Sequence, residues 1–291
     1  MLAGAPLPWT LGGNIPVPNG SFELPQTGYV SINIDSWQKF PKPAAYDEQG
    51  GFLWTQLTGA FKNTDASQPD HLDNCDGQQA LWIFAVSEAG LFQDYNSVDY
   101  HGTPTHAFNA TFEPGKFYSL TVGVNGGGGG MLEGATLDVS LYYLNAAGAK
   151  VIVDTTTITH SIETFPTHTH FVDFHVHLPI VAPTDAWAGK RIGIQLRSTV
   201  SEEMEGGYWD IDHVRLGSGP DPLTIARETD NVRVAWPSLP GYAYQLQFSD
   251  NLVEWTNEVP TQPGTGGVLS KLYPLASPPK KFFRTAIFAT P

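Results

Sequence analysis

The stretch Gly207-Tyr208-Trp209-Asp210-Ile211-Asp212-His213-Val214-Arg215-Leu216 decides the fold class. Apolar and polar side chains alternate along its first half with a period of two, the spacing of a strand with one buried face. The same period puts Asp210 and Asp212 on one side of the strand. Working outward, the runs Leu81–Val86, Tyr118–Val124, Thr136–Leu144, Val151–Ile158, Phe171–Leu178 and Ile192–Arg197 are also strand-like, with turn signals between them. The chain carries 30 glycines and 23 prolines, and 12% of its 291 residues are aromatic. Gly and Pro break helices, and β-branched and aromatic runs fill the intervals, so the expectation is all-β. Regular short strands of this kind predict a jelly-roll β-sandwich with Greek-key connections.

Gly217-Ser218-Gly219-Pro220-Asp221-Pro222 reads as a hinge, giving a large domain over residues 1–217 and a small one over 222–291. Six short strand patterns follow it: Leu223–Glu228, Val232–Trp236, Tyr242–Phe248, Glu254–Val259, Val268–Tyr273 and Phe282–Phe288. By strand count the small domain is similar to a fibronectin type III sandwich. Between residues 33 and 76 the chain is irregular and aromatic-rich, and long loops of that kind are usually functional. The glycine run Gly126–Gly130 reads as a flexible hairpin loop, because no Gly-Lys-Ser/Thr leads from it into a helix.

The net charge of −14 falls on the large domain, where residues 1–219 hold 9 Lys and Arg against 23 Asp and Glu. Such a field repels phosphate backbones and argues against nucleic-acid partners. Cys75 is the single cysteine, which excludes an internal disulfide. Its neighbours Asp73, Asn74 and Asp76 raise a thiol pKa, so it reads as structural rather than nucleophilic. No run reaches the ~20 apolar residues needed to span a bilayer. The opening Met1-Leu2-Ala3-Gly4-Ala5-Pro6 is not a signal peptide, which leaves a cytoplasmic protein or an export signal already removed.

Two end motifs carry the most information: Val17-Pro18-Asn19-Gly20-Ser21-Phe22-Glu23 and the closing Gly207–Leu216. Together they resemble the first and last strands of carbohydrate-binding jelly-roll modules that recognise xylans and β-glucans. The resemblance extends loosely over residues 15–217 and includes exported bacterial proteins, implying an extracellular or cell-surface location. It also implies a structural calcium held by Glu23 and Asp212. The donor chemistry agrees, since Ca²⁺ takes hard oxygen ligands. Asp210 is placed to assist, and Asp76 either completes this site or builds a second one. The alternative is ordinary carboxylates with an Asx turn at Asp76.

For a glycan the candidate contacts are Trp37, Trp54, Phe92, Gln93, Tyr95 and Tyr100, as stacking rings or as glue between loops and sandwich. Trp82, inside Leu81-Trp82-Ile83-Phe84, reads as core. In Phe171-Val172-Asp173-Phe174-His175-Val176-His177, the residues Asp173, His175 and His177 share one strand face. That face is a candidate transition-metal site or an exposed surface that uses histidine. No Gly-x-Ser-x-Gly elbow is present. Glu48, Glu88, Asp94 and Asp99 are the carboxylates to consider for glycoside hydrolysis. The resulting expectation is a non-catalytic, polysaccharide-binding, extracellular protein with structural calcium. Its rivals are a polysaccharide hydrolase or lyase and a protein-interaction module.

Overall fold

A computed structural model describes residues 13–49, 51–219, 223–238, 242–258, 260–265, 267–274 and 282–289. Twelve strands lie in the first part of the chain. They are β1 (Gly13–Ile15), β2 (Val30–Ser31), β3 (Gln38–Lys39), β4 (Thr58–Lys62), β5 (Gln79–Phe84) and β6 (Gly90–Gln93), then β7 (Phe117–Gly128), β8 (Thr136–Leu144), β9 (Lys150–Thr159), β10 (Val172–Leu178), β11 (Gly193–Ser198) and β12 (Tyr208–Gly219). The described residues contain no α-helix, only two 3₁₀ turns at Trp54–Gln56 and Glu202–Met204. The all-β jelly-roll expectation therefore holds. No helix among the described residues is long and apolar enough to cross a membrane.

Two antiparallel sheets form the sandwich. One runs β10-β7-β12-β5-β4-β2, with β1 on β12, and the other runs β3-β6-β11-β8-β9. Period-two alternation explains what lies between them. Leu81, Ile83, Val122, Val124, Trp209 and Ile211 turn inward from the first sheet, facing Leu137, Val139, Leu141, Ile194 and Leu196 from the second. Each such side chain contributes about 1.5–3 kcal/mol by leaving water. Asp210 and Asp212, between inward residues, face outward on the first sheet.

The alternation on β12 is then broken. Between Asp212 and Arg215 the register against β7 slips, and His213 lies in the left-handed region at φ 54°. This bulge inserts one residue. Val214 and Leu216 consequently point into the core, although strict alternation from Trp209 would put them outside. The opening motif packs on that bulge. Val214 N–H donates to Gly20 O at 2.8 Å, and a Cβ on Gly20 would fall 2.6 Å from Val214 O, so only glycine fits. Asn19 orders the rest, accepting from Leu24 N–H and donating to Leu24 O and Asp35 O.

The glycine run corrects an expectation. Gly126, Gly127 and Gly128 finish β7 instead of forming a flexible loop. They are seats for rings: a Cβ on Gly126 would meet Trp209 Cζ3 at 2.8 Å, and one on Gly128 would collide with Tyr208.

The C-terminal strands are β13 (Thr224–Glu228), β14 (Asn231–Pro237), β15 (Tyr242–Ser249), β16 (Thr256–Asn257), β17 (Gln262–Pro263), β18 (Val268–Pro274) and β19 (Phe282–Ala289). They form a β13-β14-β18 sheet and a second sheet around β15, and Val234, Trp236, Tyr244 and Leu246 make a small core of their own. Residues 220–222 of the expected hinge, and the segment Met1–Pro6, lie outside the described residues.

Candidate active site

The outward face of the first sheet holds a cleft of about 690 Å³. Trp82 and Phe84 from β5, Asn125 from β7, and Tyr208 and Asp210 from β12 form its floor, and His168 stands on its wall. Trp82 is here, not in the core, because Leu81 and Ile83 already occupy the inward phase of β5. Its ring lies over Gly59 of the neighbouring β4, where a Cβ would collide with it, and its Nε1–H donates to Gln56 O at 3.2 Å. Phe84 packs between Phe52 and Tyr208, with centroids 4.9 and 6.2 Å away. At the mouth Tyr29, Val30, Ile32 and Phe52 expose apolar surface.

Asp210 is the one buried carboxyl on this apolar floor. Burial raises its pKa from the ordinary carboxylate value to about 8, and a hydrogen bond from the Asn125 side chain pulls only weakly the other way. Burial therefore favours its protonated form. Sequence reasoning placed Asp210 beside a metal; its parity with Trp82 and Tyr208 across the sheet was the signal for a cleft.

Two residues on, Asp212 has a different environment. Its Oδ2 accepts from Asp76 N–H and its Oδ1 from His213 N–H, both at 2.6 Å. Burial raises its pKa to about 7, opposed by those N–H groups and the Cys75 thiol, while the Asp76 carboxylate pushes further up. Glu23 Oε1 accepts from Gln78 and Gln79 N–H at 2.7 Å, and Asp76 Oδ2 accepts from Ser21 Oγ. The structure brings Glu23, Asp76 and Asp212 to the single turn Asp73–Gln79 and directs Asp210 to the cleft. Among the described residues, no group of three His, Cys, Asp or Glu side chains is arranged to hold a metal ion. Cys75 lies at this turn, donates to Gln79 O at 3.2 Å, and has its thiol pushed up by burial and then by Asp212.

Most of the expected glycan contacts have their surfaces in use. Trp37 and Trp54 are buried, with Nε1–H donating to Asn19 O and Phe40 O, so they fasten the irregular segment to the sandwich. Gln93 is fully buried and donates to Pro18 O. Phe92 is covered by the Lys150 ammonium at 3.1 Å. Tyr95 lies between Arg191 at 3.4 Å and His106 at 4.3 Å, and Tyr100 leans on His101 at 3.9 Å. Of these rings Tyr100 alone is exposed, at 42%.

The face of Asp173, His175 and His177 is an exposed strand face. Asp173 pairs with Arg215 at 2.5 Å, His175 Nδ1 meets Thr121 Oγ1 at 2.9 Å, and His177 lies against Phe117. The remaining carboxylates are dispersed: Glu48 meets Lys42, Glu88 meets Arg197, Asp94 accepts from Tyr142, and Asp99 caps its own turn.

A jelly roll with an apolar, carboxyl-floored cleft on the outer sheet face has the form of a small-molecule site. Residues 13–217 match the HpiC1-like family, described as HpiC1 cyclase, and the chain belongs to that family. No curated protein matches the chain in sequence. Among solved structures it is similar to a cyclase from Fischerella sp. TAU, at 20% identity and TM-score 0.51, covering 72% of this chain and 98% of the other. A Stig cyclase, Fisc, from the same organism was solved with (3Z)-3-(1-methyl-2-pyrrolidinylidene)-3H-indole. It is 20% identical, with TM-score 0.50 and coverage of 72% and 99%. A xylan-binding domain of Xyn10C from Paenibacillus barcinonensis is more distant, at 12% identity, TM-score 0.37 and coverage of 71% and 95%.

Family membership overturns the expectation of a non-catalytic, carbohydrate-binding protein with polysaccharide partners, and with it the lean away from an enzyme. The end motifs spoke for the jelly-roll frame, and Tyr208 and Asp210 of the closing motif lie on the cleft floor. The part of the resemblance that stands is the β-sandwich.

Proposed function

We propose that this protein is a cyclase that closes a ring within a small, largely apolar, aromatic molecule, with Asp210 as general acid. The observation that carries this reading is the placement of a buried carboxyl on the aromatic floor of the cleft. A proton held there is worth more than in water, because the developing cation is solvated by Trp82, Phe84 and Tyr208 faces and by the carboxylate left behind. Asp210 hands its proton to a basic carbon or nitrogen of the substrate, and an internal π bond attacks the resulting cation. Asn125 orients the carboxyl, and the apolar mouth excludes water that would trap the cation. The raised pKa of Asp210 agrees with the role of acid near neutrality.

An indole-bearing substrate is the class we favour, because the Fisc cyclase was solved with an indole compound. The test is binding of (3Z)-3-(1-methyl-2-pyrrolidinylidene)-3H-indole, followed by tryptophan fluorescence and by ring closure across a panel of indole-bearing alkenes. Quenching that depends on Trp82, with turnover lost in Asp210→Asn, is the expected result. Binding that is indifferent to Trp82→Ala removes the cleft from consideration.

Calcium belongs to the proposal in a structural role. Its support is the convergence of three hard carboxylates, Glu23, Asp76 and Asp212, on one turn; as they stand they bond backbone N–H groups and Ser21, and would turn toward an ion on binding it. An ion there pins β12 to the opening segment, and no step of the ring closure passes through it. A melting temperature raised by Ca²⁺ and lowered by chelation is expected; no response to either excludes it. Residues 1–217 then form the enzymatic domain of a two-domain chain, with 222–291 as a small appended β-domain. That proposal is supported by the family match ending at Gly217.

A further inference from the structure

Ring closure through a cation needs a base as well as an acid, since the cyclised cation must lose a proton to become a neutral product. Asp210 supplies the acid under the reading above, on which this inference rests. We propose that His168 is the catalytic base of the same cleft, acting through Nε2.

Four observations converge on it. His168 lines the cleft together with Asp210 and Tyr208. Its Nδ1 lies 3.2 Å from Gly126 O. A carbonyl only accepts, so Nδ1 carries the hydrogen, and the neutral ring keeps its lone pair on Nε2. The ring edge is seated on Gly127, whose φ of 98° and lack of Cβ are both required: a Cβ would lie 2.8 Å from His168 Nδ1. The imidazole is therefore held against backbone and is not a freely rotating surface group. Finally, Asn125 links the two elements: its Nδ2 donates to His168 O at 2.9 Å, and it is the register partner of Asp210 across β7 and β12.

The step balances without a cofactor. Asp210 O–H transfers its proton to the substrate, and the new C–C bond forms from an internal π pair. A C–H next to the final cationic centre gives its proton to His168 Nε2, and that C–H electron pair becomes a C=C bond. The product is an isomer of the substrate, and exchange with water returns a proton to Asp210 and removes one from His168. The neighbouring titratable groups are Asp210, Tyr208 and Asp70 of the cleft, and His160, whose Nε2 crowds the same Cβ position of Gly127 as His168 does.

The test uses the full chain labelled with ¹⁵N on histidine. Long-range proton–nitrogen spectra report which ring nitrogen carries hydrogen, and His168→Gln assigns the signal. The expected result is a neutral His168 protonated on Nδ1. Its Nε2 resonance shifts when (3Z)-3-(1-methyl-2-pyrrolidinylidene)-3H-indole is added, while His175 on the exposed face of β10 does not respond. An Nε2–H tautomer overturns the proposal, and so does an unmoved His168 signal when Trp82 fluorescence is quenched by the same compound. If neither Trp82 nor His168 responds, the cleft reading itself fails and takes this proposal with it. In turnover, His168→Gln is expected to lower kcat at least about 100-fold with little change in KM.

Discussion

Asp210 and Asp212 sit two residues apart on the same face of the same strand, yet one faces an open cleft and the other is closed in by a turn. Both are buried, and burial raises both pKa values. The difference lies in what completes each carboxyl. Backbone N–H groups of Asp76 and His213 take both oxygens of Asp212, so its electron pairs hold the chain together. Asp210 has the Asn125 amide and the cleft, so its proton is available to a visitor. Residue type and burial alone do not separate a catalytic carboxyl from a structural one; the partners of its oxygens do.

The largest effect that can break this comparison is on turnover. Asp210→Asn is expected to lower ring closure at least about 100-fold, with a melting temperature equal to or above that of the parent. An active, destabilised variant would reverse the two roles. Asp212→Ala should act on stability, because it leaves the N–H groups of Asp76 and His213 without their acceptor. A loss of about 2–4 kcal/mol in urea unfolding is expected, and a loss under 1 kcal/mol would show that the turn holds without it.

Acidity gives a third, smaller effect. In the calcium-free protein, folded Asp210 and Asp212 keep their protons up to about pH 8 and 7, while the unfolded chain releases them near pH 4. Their contribution to stability is thus full below pH 4 and is lost as pH rises towards 8. The melting temperature should fall over that interval, less steeply in Asp210→Asn, and turnover should fall above about pH 8. A melting temperature that climbs from pH 4 to 8 contradicts both assignments. The smallest effect belongs to the histidine face: His175→Ala with His177→Ala should change stability by about 0.5 kcal/mol or less and leave turnover intact.

The sandwich was legible in the sequence because a strand's alternation is local. Leu81/Ile83 and Trp209/Ile211 announce their inward phase within a few residues, and Asp173, His175 and His177 announce the outward phase of β10. The site was not legible, because its parts meet only through sheet pairing. Trp82 stands in an apolar run and reads as core until β4 brings Gly59 beneath its ring. Asp210 reads as a metal ligand until Asn125 and Tyr208 are seen around it. Trp37 and Trp54 offered the right residue type for a platform, but their Nε1–H bonds to Asn19 and Phe40 hold them in the interior. The glycines told the opposite story from flexibility: crowding by Tyr208, His168 and Trp209 is what requires them.

The extra residue at His213 makes β12 a ruler with two scales. Upstream of it, odd-numbered residues face the core and even-numbered residues meet the cleft and the turn; downstream the numbering inverts, and Val214 and Leu216 go inward. Deleting His213 would force a choice between keeping Asp210 and Asp212 outside and keeping the strand's far end packed. Point changes upstream, by contrast, leave that choice untouched. The bulge therefore lets the outward residues of one half of the strand be set independently of the inward packing of the other.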